Sequence, residues 1–96
     1  MAIVRIMSPE GDQQEVERQY GIISGRMNEL PLADGLKAHV AFRTENGIKI
    51  VNVWESEQQA DAAMERPEFQ EAMREAGISR EDMQPRQHEV LNVRTS

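Results

Sequence analysis

The sequence predicts an α+β fold with the element order β-α-β-β-α-β, and three features carry the prediction. Short segments rich in β-branched residues alternate with segments whose apolar residues recur at helical spacing. Capping residues and clusters of turn formers separate these segments. An Asn-Gly pair at positions 46 and 47, a strong hairpin signal, lies between two of the strands. This order is typical of ferredoxin-like domains, in which a four-stranded antiparallel sheet carries two helices on one face.

The first half of the chain is predicted to contain a strand, a helix and a second strand. Residues 2–7, "AIVRIM", form strand one and end at the turn-forming cluster "SPEGD". Asp12 and Glu15 make an acidic capping box that opens a helix of about 17 residues. Pro31 ends this helix, whose apolar stripe consists of Val16, Tyr20, Ile23, Met27 and Leu30. Strand two follows at residues 36–44.

The second half is predicted to contain strand three, a helix and strand four. Strand three covers residues 48–54, and Ser56 with Gln59 forms the capping box of the second helix. Pro67 interrupts that helix, so we expect either a kink or a fresh helical start there. Gly77 is well placed to end it. Residues 88–95 alternate well enough to form strand four.

The hairpin determines which residues share a face of the sheet. With Asn46 and Gly47 as the two central turn residues, the opposed pairs include Arg43 with Ile50, Ala41 with Asn52, and His39 with Trp54. One face is then uniformly apolar and carries Ala38, Val40, Phe42, Val51 and Val53. The mixed face carries His39, Ala41, Arg43, Ile50, Asn52 and Trp54. A three-residue turn would mix these sets, and we reject it because a buried sheet prefers one dry face.

The mixed face is the candidate site, since it puts an aromatic wall beside several hydrogen-bonding groups, as small-molecule pockets do. Plainer interpretations stay open. Trp54 alone is also typical of a core or dimer interface, and His39 of a structural histidine bonded across the sheet. Asn52 is the more informative residue, because an amide buried unpaired in a central strand costs about 1 to 3 kcal/mol. It therefore needs a neighbour or a ligand.

Length and composition indicate the number of domains and exclude several kinds of partner and site. The 96 residues are expected to form one domain, residues 1–96, and a chain this short buries only about 60 to 65% of its unfolded surface. The bare apolar face of the sheet therefore predicts a homodimer. The net charge of −6, with scattered basic residues, excludes nucleic acid as a partner. The absence of cysteine excludes thiolate chemistry, and two distant histidines indicate no metal site.

No apolar run approaches the length of a membrane span, and the first residues lack the apolar stretch of a signal peptide. We therefore expect a cytoplasmic protein without membrane contact.

The segments "VNVWES" (51–56) and "LKAHVAF" (36–42), in this element order, resemble the antibiotic biosynthesis monooxygenase-like group of the dimeric α/β-barrel superfamily. The resemblance implies a homodimer whose sheets pack as a barrel, with a ligand cavity between sheet and helices and Trp54 aimed at the helices. Some members are cofactor-independent oxygenases of polycyclic phenols. Relatives degrade haem with an asparagine, a tryptophan and a histidine. Only the tryptophan matches here, because "IVRIM" and Met64 occupy the other two positions.

The leading hypothesis is a homodimer that binds an aromatic or polycyclic phenol and, as a cofactor-independent monooxygenase, oxygenates it without any cofactor. His39, Asn52 and Trp54 are the candidate catalytic residues, with His39 either stabilising the oxyanion or acting as the base. The candidate substrate-binding residues are Tyr20, Arg43, Ile50 and Met64. One alternative is a non-catalytic interaction or stress-response domain of the same fold. The other is a haem-binding relative.

Overall fold

The computed structural model describes residues 1–94, which form a four-stranded antiparallel sheet with its helices packed on one face. The strands are β1 (Ile3–Met7), β2 (Leu36–Thr44), β3 (Gly47–Trp54) and β4 (Arg86–Glu89). The helices are α1 (Gln13–Met27), α2 (Glu57–Met64) and α3 (Pro67–Ala76), and a 3₁₀ turn covers Glu81–Met83. The strands lie in the spatial order β2-β3-β1-β4. The predicted ferredoxin-like fold is confirmed.

The helix boundaries follow from the capping residues. Asp12 accepts a hydrogen bond from the backbone of Glu15 at 3.1 Å, and Ser56 accepts one from the backbone of Gln59 at 3.2 Å. Pro67 stands in the first turn of α3, so the second predicted helix divides there into α2 and α3. In residues 1–94 we find no helix of the length and apolarity that crossing a membrane requires.

The hairpin turn lies one residue earlier than predicted. Its central residues are Glu45 and Asn46, and Thr44 is paired with Gly47. Gly47 belongs to the strand because β3 passes tightly against the loop after β1, where a Cβ on Gly47 would lie 2.3 Å from the carbonyl oxygen of Pro9. Glycine at this position thus allows two chain segments to pass close to each other and is not a central residue of the turn.

The predicted strand pairing is corrected accordingly, since each residue of β2 lies opposite a residue two positions earlier in β3. The observed pairs are His39 with Asn52, Ala41 with Ile50, and Arg43 with Ile48. A shift of two residues keeps every side chain on its predicted face, because side chains alternate with a period of two. Both predicted sets of residues are therefore preserved.

A β-bulge at the start of β2 adjusts the pairing once more. Leu36 lies opposite Trp54 while Ala38 lies opposite Val53, so Lys37 is the extra residue. The bulge brings Leu36 to the helix side, where it packs against the cluster of Ile3, Trp54 and Ala60.

The two faces of the sheet differ sharply in burial. The helix side is covered by α1, α2 and α3 and contains two apolar clusters, one around Trp54 and a larger one around Met7 and Ile50. The other side has no cover within residues 1–94. It leaves Val40 54% and Phe42 47% exposed, next to half-buried Val4, Ile6, Ala38, Val51 and Val53.

Strand four is shorter and earlier than predicted. It covers Arg86–Glu89 in place of residues 88–95, and Thr95 lies outside the described residues. Its length is limited by β1, because the last hydrogen bond of the pair runs from the Val90 backbone to Ala2 at 3.0 Å.

Candidate functional site

A row of polar side chains crosses the whole helix side of the sheet at one level. His39 on β2 lies opposite Asn52 on β3, Asn52 opposite Arg5 on β1, and Arg5 opposite Gln87 on β4. The neighbouring rows are apolar on the two central strands, with Trp54 and Ile3 on one side and Ile50 and Met7 on the other, and Glu89 on β4 lies opposite Ile3. We call His39, Asn52, Arg5 and Gln87 the polar row.

Hydrogen bonds connect one end of the polar row to α1. The Tyr20 hydroxyl lies 2.9 Å from His39 Nε2, and His39 Nδ1 lies 2.5 Å from Asn52 Oδ1. Because Oδ1 can only accept, Nδ1 carries the proton, and Nε2 of the neutral ring accepts from Tyr20. This chain fixes the orientation of the Asn52 amide, whose N–H groups point away from His39.

The other end of the row is held by Arg5. Its Nε donates to Gln87 Oε1 at 2.9 Å, and its Nη2 donates to Asp61 Oδ1 on α2 at 2.6 Å. The Arg5 side chain is only 13% exposed, while that of Asp61 is 52% exposed. The ion pair ties α2 to the middle of the sheet.

An open cavity of about 200 Å³ lies over the polar row between the sheet, α2 and the segment after α3. Its walls mix apolar and polar residues. They are Arg5, Met7, Asn52, Trp54, Met64, Arg80, Pro85, Arg86 and Gln87. Three predicted site residues therefore meet at one cavity: Asn52, Trp54 and Met64.

Trp54 has a double position. It is 6% exposed and packs with Ile3 and Ala60 in the smaller apolar cluster, so it is part of the core. It also forms part of the cavity wall. The sequence leaves two interpretations of Trp54 open, a core residue and a pocket wall, and each describes part of its surroundings. The side chain faces the helices.

The other predicted site residues lie elsewhere. Tyr20 and His39 reach the cavity only through Asn52. Ile50 is buried in the larger apolar cluster. Arg43 is 79% exposed on the edge strand β2 and binds Glu17 of α1 at 2.8 Å. That hydrogen bond, with a second from Gln13, lowers the pKa of Glu17, and the pairing raises the pKa of Arg43.

Sequence reasoning missed Arg5, Gln87 and Asp61. Arg5 had a signal, since it is the polar residue at the centre of the apolar strand "IVRIM" and alternation places it with Ile3 and Met7 on one face. Gln87 and Asp61 had none, because their positions depend on how β4 and α2 meet β1.

Metal and haem have little support in this part of the chain. Residues 1–94 contain no group of three or more His, Cys, Asp or Glu side chains that could hold a metal ion. Neither His39 nor His88 lines the cavity, and His88 lies opposite Val4, on the uncovered face. The residues present therefore do not fit a haem with a histidine ligand.

Comparison with known proteins gives a fold but no close relative. No family model and no curated protein sequence matches the chain. A structure from Chloroflexus aurantiacus, named for the antibiotic biosynthesis monooxygenases, superposes with a TM-score of 0.75 at 13% identity, covering 99% of this chain and 98% of that one. The chain has an antibiotic biosynthesis monooxygenase-like fold.

Two further structures share the antibiotic biosynthesis monooxygenase-like fold. SnoaB, a cofactor-independent oxygenase from Streptomyces nogalater, superposes with a TM-score of 0.55 at 18% identity, covering 98% of this chain and 93% of that one. A dimeric ferredoxin-like protein of unknown function from Jannaschia sp. CCS1 gives 0.60 at 16% identity, over 93% and 98% of the two chains. At these identities the likeness shows the fold alone, so the roles of individual residues must be argued from their contacts.

Proposed function

We propose that the protein is a small homodimer that binds an aromatic compound, with a phenol as the class of ligand, in the cavity beside Trp54. The observation that carries this proposal is the fixed amide of Asn52. His39, which Tyr20 holds in place, donates to its oxygen, so its N–H groups remain for a ligand. An indole wall beside a few oriented polar groups is the usual lining of a small-molecule site.

Four of the cavity residues have a role in this proposal that their chemistry suits. Trp54 holds the ring by stacking, and Met64 and Met7 adapt to its outline. Asn52 donates to the phenol oxygen and favours its ionised form, because the oriented donor requires no reorganisation. An ionised phenol has an electron-rich ring that reduces O₂ directly, so oxygenation needs no cofactor. The similarity in fold to SnoaB, a cofactor-independent oxygenase, supports testing this reaction.

His39 acts in this proposal through Asn52. Its Nε2 is occupied by Tyr20 and its Nδ1 by Asn52, so neither nitrogen faces the cavity. It is therefore a positioning residue for the amide. A role as the base would require this hydrogen-bonded chain to open first.

The homodimer is supported by the uncovered face of the sheet. Val40 and Phe42, on the edge strand β2, are about half exposed on a mostly apolar face, which soluble monomers rarely leave open. A second copy presents the same apolar face, so the two sheets can cover each other. The similar protein from Jannaschia sp. CCS1 is described as dimeric.

The experiment is a calorimetric titration with 1-naphthol, followed by oxygen-electrode measurements on the same samples. We expect saturable binding that weakens about tenfold or more in Asn52→Ala, since a hydrogen bond to a charged group contributes about 1.5 to 3 kcal/mol. Asn28→Ala, at the C-terminal cap of α1, is the matched control and should bind as the wild type does. Equal affinity in wild type and Asn52→Ala would contradict the proposed site.

A second candidate is a non-catalytic interaction domain of the same fold. It is favoured by the size of the cavity, about 200 Å³, because sites for drug-sized ligands usually start near 300 Å³. It is also favoured by the packing of Trp54 in the core. This candidate predicts that 1-naphthol neither binds saturably nor supports oxygen uptake.

A further inference from the structure

The charge around the cavity is opposite to that of the whole protein. The chain has 17 acidic and 11 basic residues, for a net charge of −6. Among the described residues that line the cavity, however, three are arginines and none is acidic. Arg5 and Arg80 supply this charge on the helix side. Arg86 lies opposite Ile6, so its side chain starts from the other face and contributes at the rim. A positive cavity in an acidic protein selects for anions.

The polar row offers unused donors to the cavity, while each of its amide oxygens already accepts one hydrogen bond. Asn52 Oδ1 is bonded to His39, and Gln87 Oε1 is bonded to Arg5. Each oxygen keeps one lone pair, whereas the N–H₂ groups of both amides make no hydrogen bond within the described residues and are fully unused. Arg5 has no acceptor at all. A ligand that supplies acceptors, as a carboxylate does with two oxygens, therefore matches the larger share of the unused groups.

Arg5 has donors left for such a ligand. Two of its five N–H groups are used, by Gln87 and by Asp61. Those left include both N–H groups on Nη1, and the guanidinium plane binds a carboxylate through two parallel hydrogen bonds. Its counter-ion Asp61 is half exposed and is absent from the cavity wall. The positive charge is thus compensated from one side and open on the other.

From these contacts we infer that the cavity takes an aromatic carboxylate, which Arg5 binds through the carboxylate while the ring lies against Trp54. This inference rests on the proposed function and adds the ionic anchor to it. At the packing density of proteins, about 0.75, a cavity of 200 Å³ accommodates roughly 150 Å³ of ligand. That volume suits one or two fused rings better than a polycyclic skeleton.

The test is calorimetric titration of the full chain with 2-naphthoate and with its neutral counterpart 2-naphthamide. The two probes share a ring system and differ in charge. We expect naphthoate to bind about tenfold or more tightly, because hydrogen bonds between charged groups are roughly twice as strong as neutral ones. We also expect added salt to weaken naphthoate binding and to leave naphthamide binding unchanged.

Four variants test which residues cause the preference for naphthoate over naphthamide. Arg5→Gln should abolish it, and Arg80→Gln should reduce it. Asp61→Asn should increase it, because the competing carboxylate is removed. Arg18→Gln is the matched control, since Arg18 is ion-paired with Glu15 on the outer side of α1 and should not affect the ratio. If Arg5→Gln does not fold, the opposite shifts in Arg80→Gln and Asp61→Asn still test the inference.

The outcomes separate this inference from the proposed function. Equal affinity for both probes in the wild type overturns the carboxylate anchor and leaves aromatic binding standing. A preference that survives unchanged in folded Arg5→Gln also overturns it. Failure of both probes to bind overturns this inference, and failure of 1-naphthol to bind as well overturns the proposed function.

Discussion

At the scale of single residues, the orientation of one amide decides the chemistry of the cavity. Asn52 turns its N–H₂ group toward the cavity, because its oxygen accepts a hydrogen bond from His39 Nδ1. The Tyr20 hydroxyl in turn donates to Nε2, so the proton of the neutral imidazole lies on Nδ1. A hydroxyl on α1 thereby sets the polarity of a site on the far side of β3.

The first prediction concerns the tautomer of His39. At a pH where the ring is neutral, we expect the proton on Nδ1, because Asn52 Oδ1 only accepts. The nitrogen chemical shifts of the labelled imidazole measure this directly. Asn52→Ala should release the constraint. A proton found on Nε2 in the wild type would mean that the amide is turned over, and it would remove the donor from the cavity.

The second prediction concerns Gly47. Gly47→Ala should lower the free energy of unfolding by about 1 to 3 kcal/mol, since the added Cβ would meet the Pro9 carbonyl oxygen. Asn46→Ala, in the turn itself, is the control and should cost less. Urea denaturation measures both. A larger loss for Asn46→Ala would support the turn that the sequence predicted and contradict the observed pairing.

At the scale of elements, most of the sheet and helix boundaries could be predicted because they depend on local chemistry. Ser56 and Gln59 cap α2, Pro67 restarts the helix, and Gly77 closes it with a positive φ of 76°. The hairpin register could not be predicted, because Gly47 is required by Pro9, which is remote in sequence. The face of each side chain could be predicted despite this error, since a shift of two residues preserves it.

The candidate site was predictable only in part, for the same reason. Asn52, Trp54 and Met64 meet at the cavity, and two of them share one face of one strand. Arg43 was placed with them because strand parity cannot show that the far end of β2 is exposed. Asp61 and Gln87 depend on tertiary packing, about which local pattern carries no information.

The third prediction concerns the ion pair that joins α1 to the hairpin. The hydrogen bond from Arg43, and then that from Gln13, lower the pKa of Glu17 from its usual 4.5. A lowered pKa in the folded state adds stability above the ordinary value, and this is lost as pH falls through the folded pKa. The stability gap between wild type and Glu17→Gln should therefore narrow as pH drops below about 4.5.

Urea denaturation of both proteins between neutral pH and about pH 3 measures that gap. Because the Arg43 side chain is 79% exposed and that of Glu17 is 31% exposed, solvent screens the pair and the effect is expected to be small. Glu29→Gln is the control, since no described salt bridge involves Glu29. A gap that widens with acid would contradict the pairing.

At the scale of the whole molecule, the sheet separates two tasks. Its helix side carries the polar row and the cavity, and its other side is mostly apolar and is uncovered within residues 1–94. A second copy on the uncovered side would stabilise the sheet without closing the cavity, because the two lie on opposite faces. Because a chain of 96 residues has a small core, burial of this face would add to its stability.

The fourth prediction concerns this assembly. Val40→Asp should shift the protein from dimer to monomer, since Val40 lies opposite Val51 and the change puts a charge on the apolar face that the second copy would cover. Gln14→Asp is the control, because Gln14 is an exposed residue of α1 on the other side of the sheet, and it should leave the dimer intact. Analytical ultracentrifugation measures both. A wild-type protein that sediments as a monomer at all concentrations would contradict the proposed homodimer.

The most direct measurement for the proposed ligand site is a ¹⁵N–¹H NMR titration with 1-naphthol. The chain has one tryptophan, so its indole N–H gives a single assignable signal. We predict that this signal and the side-chain amide signals of Asn52 shift together and saturate, while the amide of Asn28 stays in place. Saturable shifts confined to the Val40 and Phe42 face, with the indole signal unmoved, would contradict a ligand site beside Trp54.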